Sequence, residues 1–218
     1  MFDPGKVNCV VLAGGRGTRL QESVPDRPKV IALVNGRPFI AYLLDQLNSA
    51  GLGRIIICTG YMAAEIERNI PRNYRGMEII YSREDEILGT AGAVKNSARY
   101  FSGKDILVLN GDSFFECDLR HFFQWHKKKK ARISILLTEV ENVNRYGRIE
   151  TDAQGRITEY FEKETRSQRG LINAGIYLIT DKIVDNIQPD KYCSFENEIF
   201  PSQIGEGLYG CLQTGRFL

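Results

Sequence analysis

Apolar residues run nearly without interruption from Val7 to Ala13 before the chain turns polar. A run of that length predicts a strand buried on both faces. After a polar loop through Pro28, Pro38 opens a helix, a start that proline tolerates well. Phe39, Leu43, Leu44 and Leu47 form its apolar stripe and Gly51 ends it. "RIIICT" (54–59) is a second buried strand, residues 61–70 are helical, and "MEIIYS" (77–82) is a third strand. Gly89 to Phe101 reads as a helix with Ala91, Val94, Ala98 and Phe101 on one face. "DILVLN" (105–110) is the fourth strand. This alternation predicts an α/β fold with a doubly wound sheet.

The pattern changes in the second half. "LRHFFQWH" after Asp118 has helical spacing, and "RISILLTEV" (132–140) is a strand. "GRIETDAQGRITEYFEKE" reads as two short strands about an Asp-Ala-Gln-Gly turn. "GLINAGIYLIT" (170–180) is one more. These strands predict antiparallel additions, so the sheet is mixed. With no repeat, low-complexity stretch or linker, the expectation is one domain over 1–218. Within it, about 1–115 and about 116–218 read as two halves of different texture.

Composition narrows the function classes. A net charge of +2 gives no global basic field for nucleic acid. Lys127 to Lys130 are a local exception, expected to decorate the solvated C-terminal end of their helix. Five cysteines with no C-x-x-C pair argue against zinc and against a disulfide framework. Cys9 and Cys58 read as small core residues. No signal peptide and no 18-residue apolar stretch is found, so no membrane is expected and a cytoplasmic setting is.

The chemistry gathers in "VVLAGGRGTRL" (10–20). Gly15 and Gly17 stand at G-x-G spacing, but Leu20 occupies the third glycine's place in a dinucleotide fingerprint. No Gly-Lys-Ser/Thr closes a phosphate loop either. Bare backbone after a buried strand can still cradle an anion through its N–H groups. Arg16, Arg19 and Lys29 add cations suited to a triphosphate. The plain alternative is a glycine turn with two solvated arginines.

"LAGGRGTRLQESVPDRPK" resembles the signature of the sugar-1-phosphate nucleotidyltransferases, G-G-x-G-T-R-L followed by P-K-P. The likeness continues through "LGTAGAV" (88–94), "LNGDSFF" (109–115), "YGRIE" (146–150), "EKE" (162–164) and "NAGIY" (173–177). Within that family, "YSREDEILGTAGA", "NGDSFF" and "GLINAGIYLI" look most like the D-glycero-α-D-manno-heptose 1-phosphate guanylyltransferases. The resemblance implies a Rossmann-like, GT-A-like fold. It implies Mg²⁺-dependent transfer of a nucleoside monophosphate from an NTP, GTP being favoured, to a sugar 1-phosphate, with release of pyrophosphate. Nucleotide-sugar and polysaccharide biosynthesis is the setting. Because the attacking phosphate oxygen is already anionic, no general base is required, consistent with two histidines (His121 and His126) outside every motif.

Carried over residue by residue, the likeness assigns Leu12, Ala13, Gly14, Gly15, Gly17 and Thr18 to the nucleotide and phosphate loop. It assigns Arg19 and Lys29 to the phosphates and Asp112 to the metal. Glu84, Gly89 and Thr90 fall on the base. Asn110, Gly147, Glu162, Lys163 and Asn173 fall on the sugar and its phosphate. For Glu84 an exposed strand end is an equal alternative, and its carboxylate could accept from guanine or from uracil. One departure is Pro28-Lys29-Val30 in place of P-K-P. The family's second metal aspartate would fall just after Leu218. Three alternatives stand beside this reading: an inactive nucleotide-sugar-binding or regulatory domain, a uridylyltransferase or mannose-1-phosphate guanylyltransferase, and a Rossmann oxidoreductase. The apolar-rich second half leaves room for a homodimer surface.

Overall fold

In a computed structural model of the chain, residues 3–15, 28–144, 146–161 and 168–218 are described. The elements are β1 (Val7–Leu12), β2 (Leu33–Val34), β3 (Arg37–Pro38), α1 (Phe39–Ser49), β4 (Arg54–Thr59), α2 (Ala63–Asn69), β5 (Asn73–Tyr74), β6 (Met77–Arg83), α3 (Gly89–Ser97) and β7 (Asp105–Asn110). There follow α4 (Leu119–Lys129), β8 (Ile133–Val140), β9 (Arg148–Thr151), β10 (Ile157–Phe161), β11 (Gly170–Thr180), α5 (Asp181–Asp185), a π-helical turn (Phe195–Ile199), α6 (Phe200–Ser202) and β12 (Leu208–Leu212).

Among the described residues, ten strands share one sheet whose main path is β10-β9-β11-β7-β1-β4-β6-β5. β1 pairs parallel with β4 on one edge and with β7 on the other. β11 runs antiparallel to β7, β8 and β9, which makes the sheet mixed as expected. Tyr177 lies opposite both Val108 and Ile135, so β7 and β8 occupy opposite edges of β11.

Strand alternation sorts the apolar residues into two cores. Cys9, Val11, Ile55, Ile57, Leu107 and Leu109 face α1, α2 and α4 on one side. Val10, Ile56, Cys58, Ile106 and Val108 face α3, α5 and the Phe195–Phe200 pair on the other. Helices therefore cover both faces, and the doubly wound reading of the sequence holds.

The departures are local. The helix expected over 89–101 ends at Ser97 and tightens into a 3₁₀ turn over Ala98–Tyr100. β12, which pairs parallel with β8 and follows Gly205 and Gly207 in the left-handed region, is absent from the strands expected from the sequence. The lysine cluster ties α4 to its surroundings rather than only facing water. Lys127 pairs with Asp105 at 2.6 Å, and Lys129 sits over the Trp125 ring. His126 is buried, 2.7 Å from Ser134 Oγ, and burial lowers its pKa to about 4. No helix among the described residues is long and apolar enough to cross a membrane.

Candidate active site

The parallel pair β1 and β7 ends in register, Leu12 beside Asn110. Because the chain passes from β1 to β4 on one side and only later returns to place β7 on the other, a crevice opens at the carboxyl ends of these strands. Gly111 donates its N–H to the Leu12 carbonyl at 2.8 Å. A Cβ on Gly111 would stand 2.6 Å from that carbonyl oxygen, so glycine lets the turn fold over the end of β1 and deliver Asp112 to the crevice. The result is a cleft of about 600 Å³. Every sequence-assigned residue that the structure describes lines it: Leu12, Ala13, Gly14, Gly15, Lys29, Glu84, Gly89, Thr90, Asn110, Asp112, Gly147 and Asn173. Gly17, Thr18, Arg19, Glu162 and Lys163 lie outside the described residues.

The two described glycines of the first loop do different work. A Cβ on Gly14 would meet Glu84 Oε1 at 3.0 Å and the Gly60 amide nitrogen at 3.3 Å, so this glycine lets three segments meet. A Cβ on Gly15 would meet none of the described residues beyond its chain neighbours within 4 Å. Its backbone is open to a ligand.

Glu84 is half-buried, not an exposed strand end. Its Oε2 accepts the Leu88 N–H at 3.2 Å, and burial pushes its carboxyl pKa upward against that hydrogen bond. The N-terminus of α3 is capped from within. Ala91 and Gly92 donate to the Cys193 carbonyl at 3.0 and 3.1 Å. Thr90 lines the cleft with its hydroxyl engaged: it donates to Glu196 Oε2 at 2.7 Å and accepts the Phe195 N–H at 2.9 Å.

Lys29 Nζ and Asp112 Oδ2 stand 3.8 Å apart. Lys29 is largely sheltered while the Asp112 side chain is 52% exposed, open enough to accept a further partner. No cluster of three or more metal-ligating side chains occurs among the described residues. A lone carboxylate nevertheless fits Mg²⁺, which retains several waters and takes its other ligands from substrate phosphates. The backbone of Leu218 pairs with that of Phe114, two residues beyond Asp112, with N···O distances of 3.0 and 2.8 Å.

The opposite wall is built from side chains. The register of β11 against β8 shifts between Asn173 and Tyr177, with Gly175 at φ +77° in the bulge. A Cβ there would lie 2.6 Å from Ser113 Oγ, so glycine also permits β11 to approach the turn carrying Asp112. The buried Tyr177 hydroxyl receives Asn173 Nδ2 at 2.8 Å and Asn110 Nδ2 at 3.3 Å, and donates to Glu196 Oε1 at 3.3 Å. Ser194 Oγ donates to Glu196 Oε2 at 2.9 Å. Tyr177, Ser194 and Glu196 escaped the sequence reading. "SFENE" (194–198) did carry a helix-start signal: Ser194 Oγ accepts the Asn197 N–H, and Glu198 accepts the Ser194 N–H at 2.9 Å.

Comparison with known proteins agrees with this architecture. The family model described as Nucleotidyl transferase matches residues 8–212. D-glycero-alpha-D-manno-heptose 1-phosphate guanylyltransferase of Aneurinibacillus thermoaerophilus is 32% identical over 97% of this chain and 92% of its own. The protein of the same name from Campylobacter jejuni is 34% identical over 87% of this chain and 83% of its own. Among solved structures, HddC from Yersinia pseudotuberculosis complexed with GMP-PN superposes with a TM-score of 0.86 at 31% identity, covering 97% of this chain and 92% of that one. These matches set the oxidoreductase alternative aside. With the crevice at the β1–β7 ends and near full-length similarity at both the sequence and the structural level, the chain belongs to the sugar-1-phosphate nucleotidyltransferase family, whose reaction transfers a nucleoside monophosphate from a nucleoside triphosphate to a sugar 1-phosphate.

Proposed function

We propose that this chain is a guanylyltransferase that transfers GMP from GTP to D-glycero-α-D-manno-heptose 1-phosphate, yielding the GDP-sugar and pyrophosphate. The observation that carries the reading is one cleft lined jointly by the glycine-loop residues and by Asn110, Gly147 and Asn173. The similarity to the heptose 1-phosphate guanylyltransferases of Aneurinibacillus and Campylobacter supports the choice of base and sugar.

A sugar-phosphate oxygen attacks the α-phosphorus. The new O–Pα bond forms as the bond from Pα to the bridging oxygen of the β-phosphate breaks, and the electron pair leaves with pyrophosphate. The nucleophile is an anion, so the chain's task is positioning and charge neutralisation. Gly14 and Gly15 offer close backbone approach to the phosphates, and the family signature assigns Gly17 and Thr18 to the same phosphates. Arg19 and Lys29 balance the charge on the phosphates and on the departing pyrophosphate. Glu84 accepts from the base beside the Gly89 turn. Glu162 and Lys163, with Asn110, Gly147 and Asn173, hold the sugar phosphate. Asp112 would hold Mg²⁺, which supplies charge neutralisation on the phosphates when bound. In this reading the halves, about 1–115 and about 116–218, serve nucleotide and sugar respectively.

The test is pyrophosphate release with each of the four common ribonucleoside triphosphates against a panel of sugar 1-phosphates. GTP with the heptose 1-phosphate should give the highest kcat/KM. A higher value with UTP or with mannose 1-phosphate overturns the substrate assignment. Nucleotide binding without turnover of any sugar phosphate favours the inactive binding domain.

A further inference from the structure

We propose that Glu196 is a specificity-determining residue that accepts a hydrogen bond from one hydroxyl of the sugar 1-phosphate. This inference rests on the nucleotidyl-transfer reading above and deepens it.

Glu196 lies on the π-helical turn and lines the cleft. Nothing in the sequence pattern marked it, yet it is the meeting point of three hydroxyls. Thr90 and Ser194 donate to one carboxylate oxygen at 2.7 and 2.9 Å, and Tyr177 donates to the other at 3.3 Å. A carboxylate offers about four acceptor positions on its two oxygens. Among the described residues three of these are filled, which leaves room on Oε1 for one more donor.

The polarity of the network follows without any choice of amide orientation. A carboxylate only accepts, so the single proton of the Tyr177 hydroxyl points to Glu196. The tyrosine oxygen must then accept from its other neighbours, which fixes Asn173 and Asn110 with their NH₂ groups towards it. Asn173 is locked further, because its Oδ1 accepts the Gly175 N–H at 2.8 Å. On this wall Glu196 is an acceptor held in place by three donors, beside asparagines whose NH₂ groups are already aligned. An array so preorganised suits a polyhydroxylated ligand, and a hydroxyl that donates to Glu196 would complete it.

The experiment combines Glu196→Gln with a set of monodeoxy analogues of whichever sugar 1-phosphate gives the highest kcat/KM in the panel. In the wild type, loss of one particular hydroxyl should raise the sugar KM by about 10–100-fold. Glu196→Gln should raise the KM of the parent sugar by a similar factor and make that one analogue no worse than the parent. The GTP KM should stay within about twofold, as for an interaction confined to the sugar. Glu196→Asp, which withdraws the carboxylate by one methylene but keeps its charge, should recover part of the discrimination and guards against a variant that fails to fold. Equal loss for the parent and every analogue would show a merely structural link, and the inference would fall while turnover by the wild type still upheld the function. Absence of turnover with every sugar would remove both together.

Discussion

The two walls of the cleft are made in opposite ways. Among the described residues, the wall that follows β1 is almost bare: Gly14 and Gly15 present backbone, and the charges beside them, Lys29 and Asp112, stand 3.8 Å apart. The wall of β11 and the π-helical turn is dense, with Asn173, Tyr177, Ser194, Thr90 and Glu196 joined in one network. A polyanion with many oxygens can be held by amides and cations of loose geometry. Selecting one sugar among stereoisomers needs donors and acceptors held in place. The bare wall suits the first task and the dense wall the second.

The sharpest way to break this contrast is on the bare wall. Asp112→Asn should lower kcat by at least about 10²–10³-fold, the scale of one lost preorganised charge contact. Because the Lys29–Asp112 pair is partly solvated and contributes little to folding, the melting temperature should stay unchanged. A variant with near-normal turnover would mean that the wall's charges are idle.

Glycine substitution comes next and should separate the walls. Gly175→Ala forces a left-handed residue and a Cβ 2.6 Å from Ser113 Oγ, so it should destabilise by about 1–3 kcal/mol in urea unfolding. Gly15→Ala meets open space and should leave stability within about 0.5 kcal/mol while weakening GTP binding. Equal stability losses would erase the distinction.

Tyr177→Phe probes the network itself. It leaves Glu196 Oε1 and two asparagine NH₂ groups short of a partner, a loss of about 1–3 kcal/mol. Steady-state kinetics should show a higher KM for the sugar phosphate with the GTP KM unmoved.

The smallest effect expected is a pH step. Burial raises the Glu84 carboxyl above the ordinary carboxylate range, so as pH falls this group takes its proton earlier than an exposed one and ceases to accept from the base. The KM for GTP should therefore climb from above pH ~4.3 downward, and Glu84→Gln should remove the step. For stability the sign is opposite. The folded chain holds this proton more firmly than the unfolded one, so the contribution is present below the unfolded value and is lost as pH rises through the folded one.

The strands and the first loop were legible because each is a local matter. "VVLAGG" and "DILVLNGD" announce a buried strand followed by a turn, whatever surrounds them. The meeting of Thr90 with Glu196, which are 106 residues apart, has no such local signal. Nor has the capping of α3 by the Cys193 carbonyl, since any residue there supplies the same group.

The amino-acid order alone determined that helices would cover both faces of a mixed sheet, and that a glycine-rich loop and an aspartate would emerge at its carboxyl edge. Burial periodicity and backbone freedom are properties of neighbouring residues. Only the tertiary structure decided that Gly14 serves packing against Glu84 while Gly15 stays open, and that a buried tyrosine would orient two asparagines towards one glutamate. Hydrogen-bond partners are chosen by distance in space, and distance between remote segments is written in no single stretch of sequence.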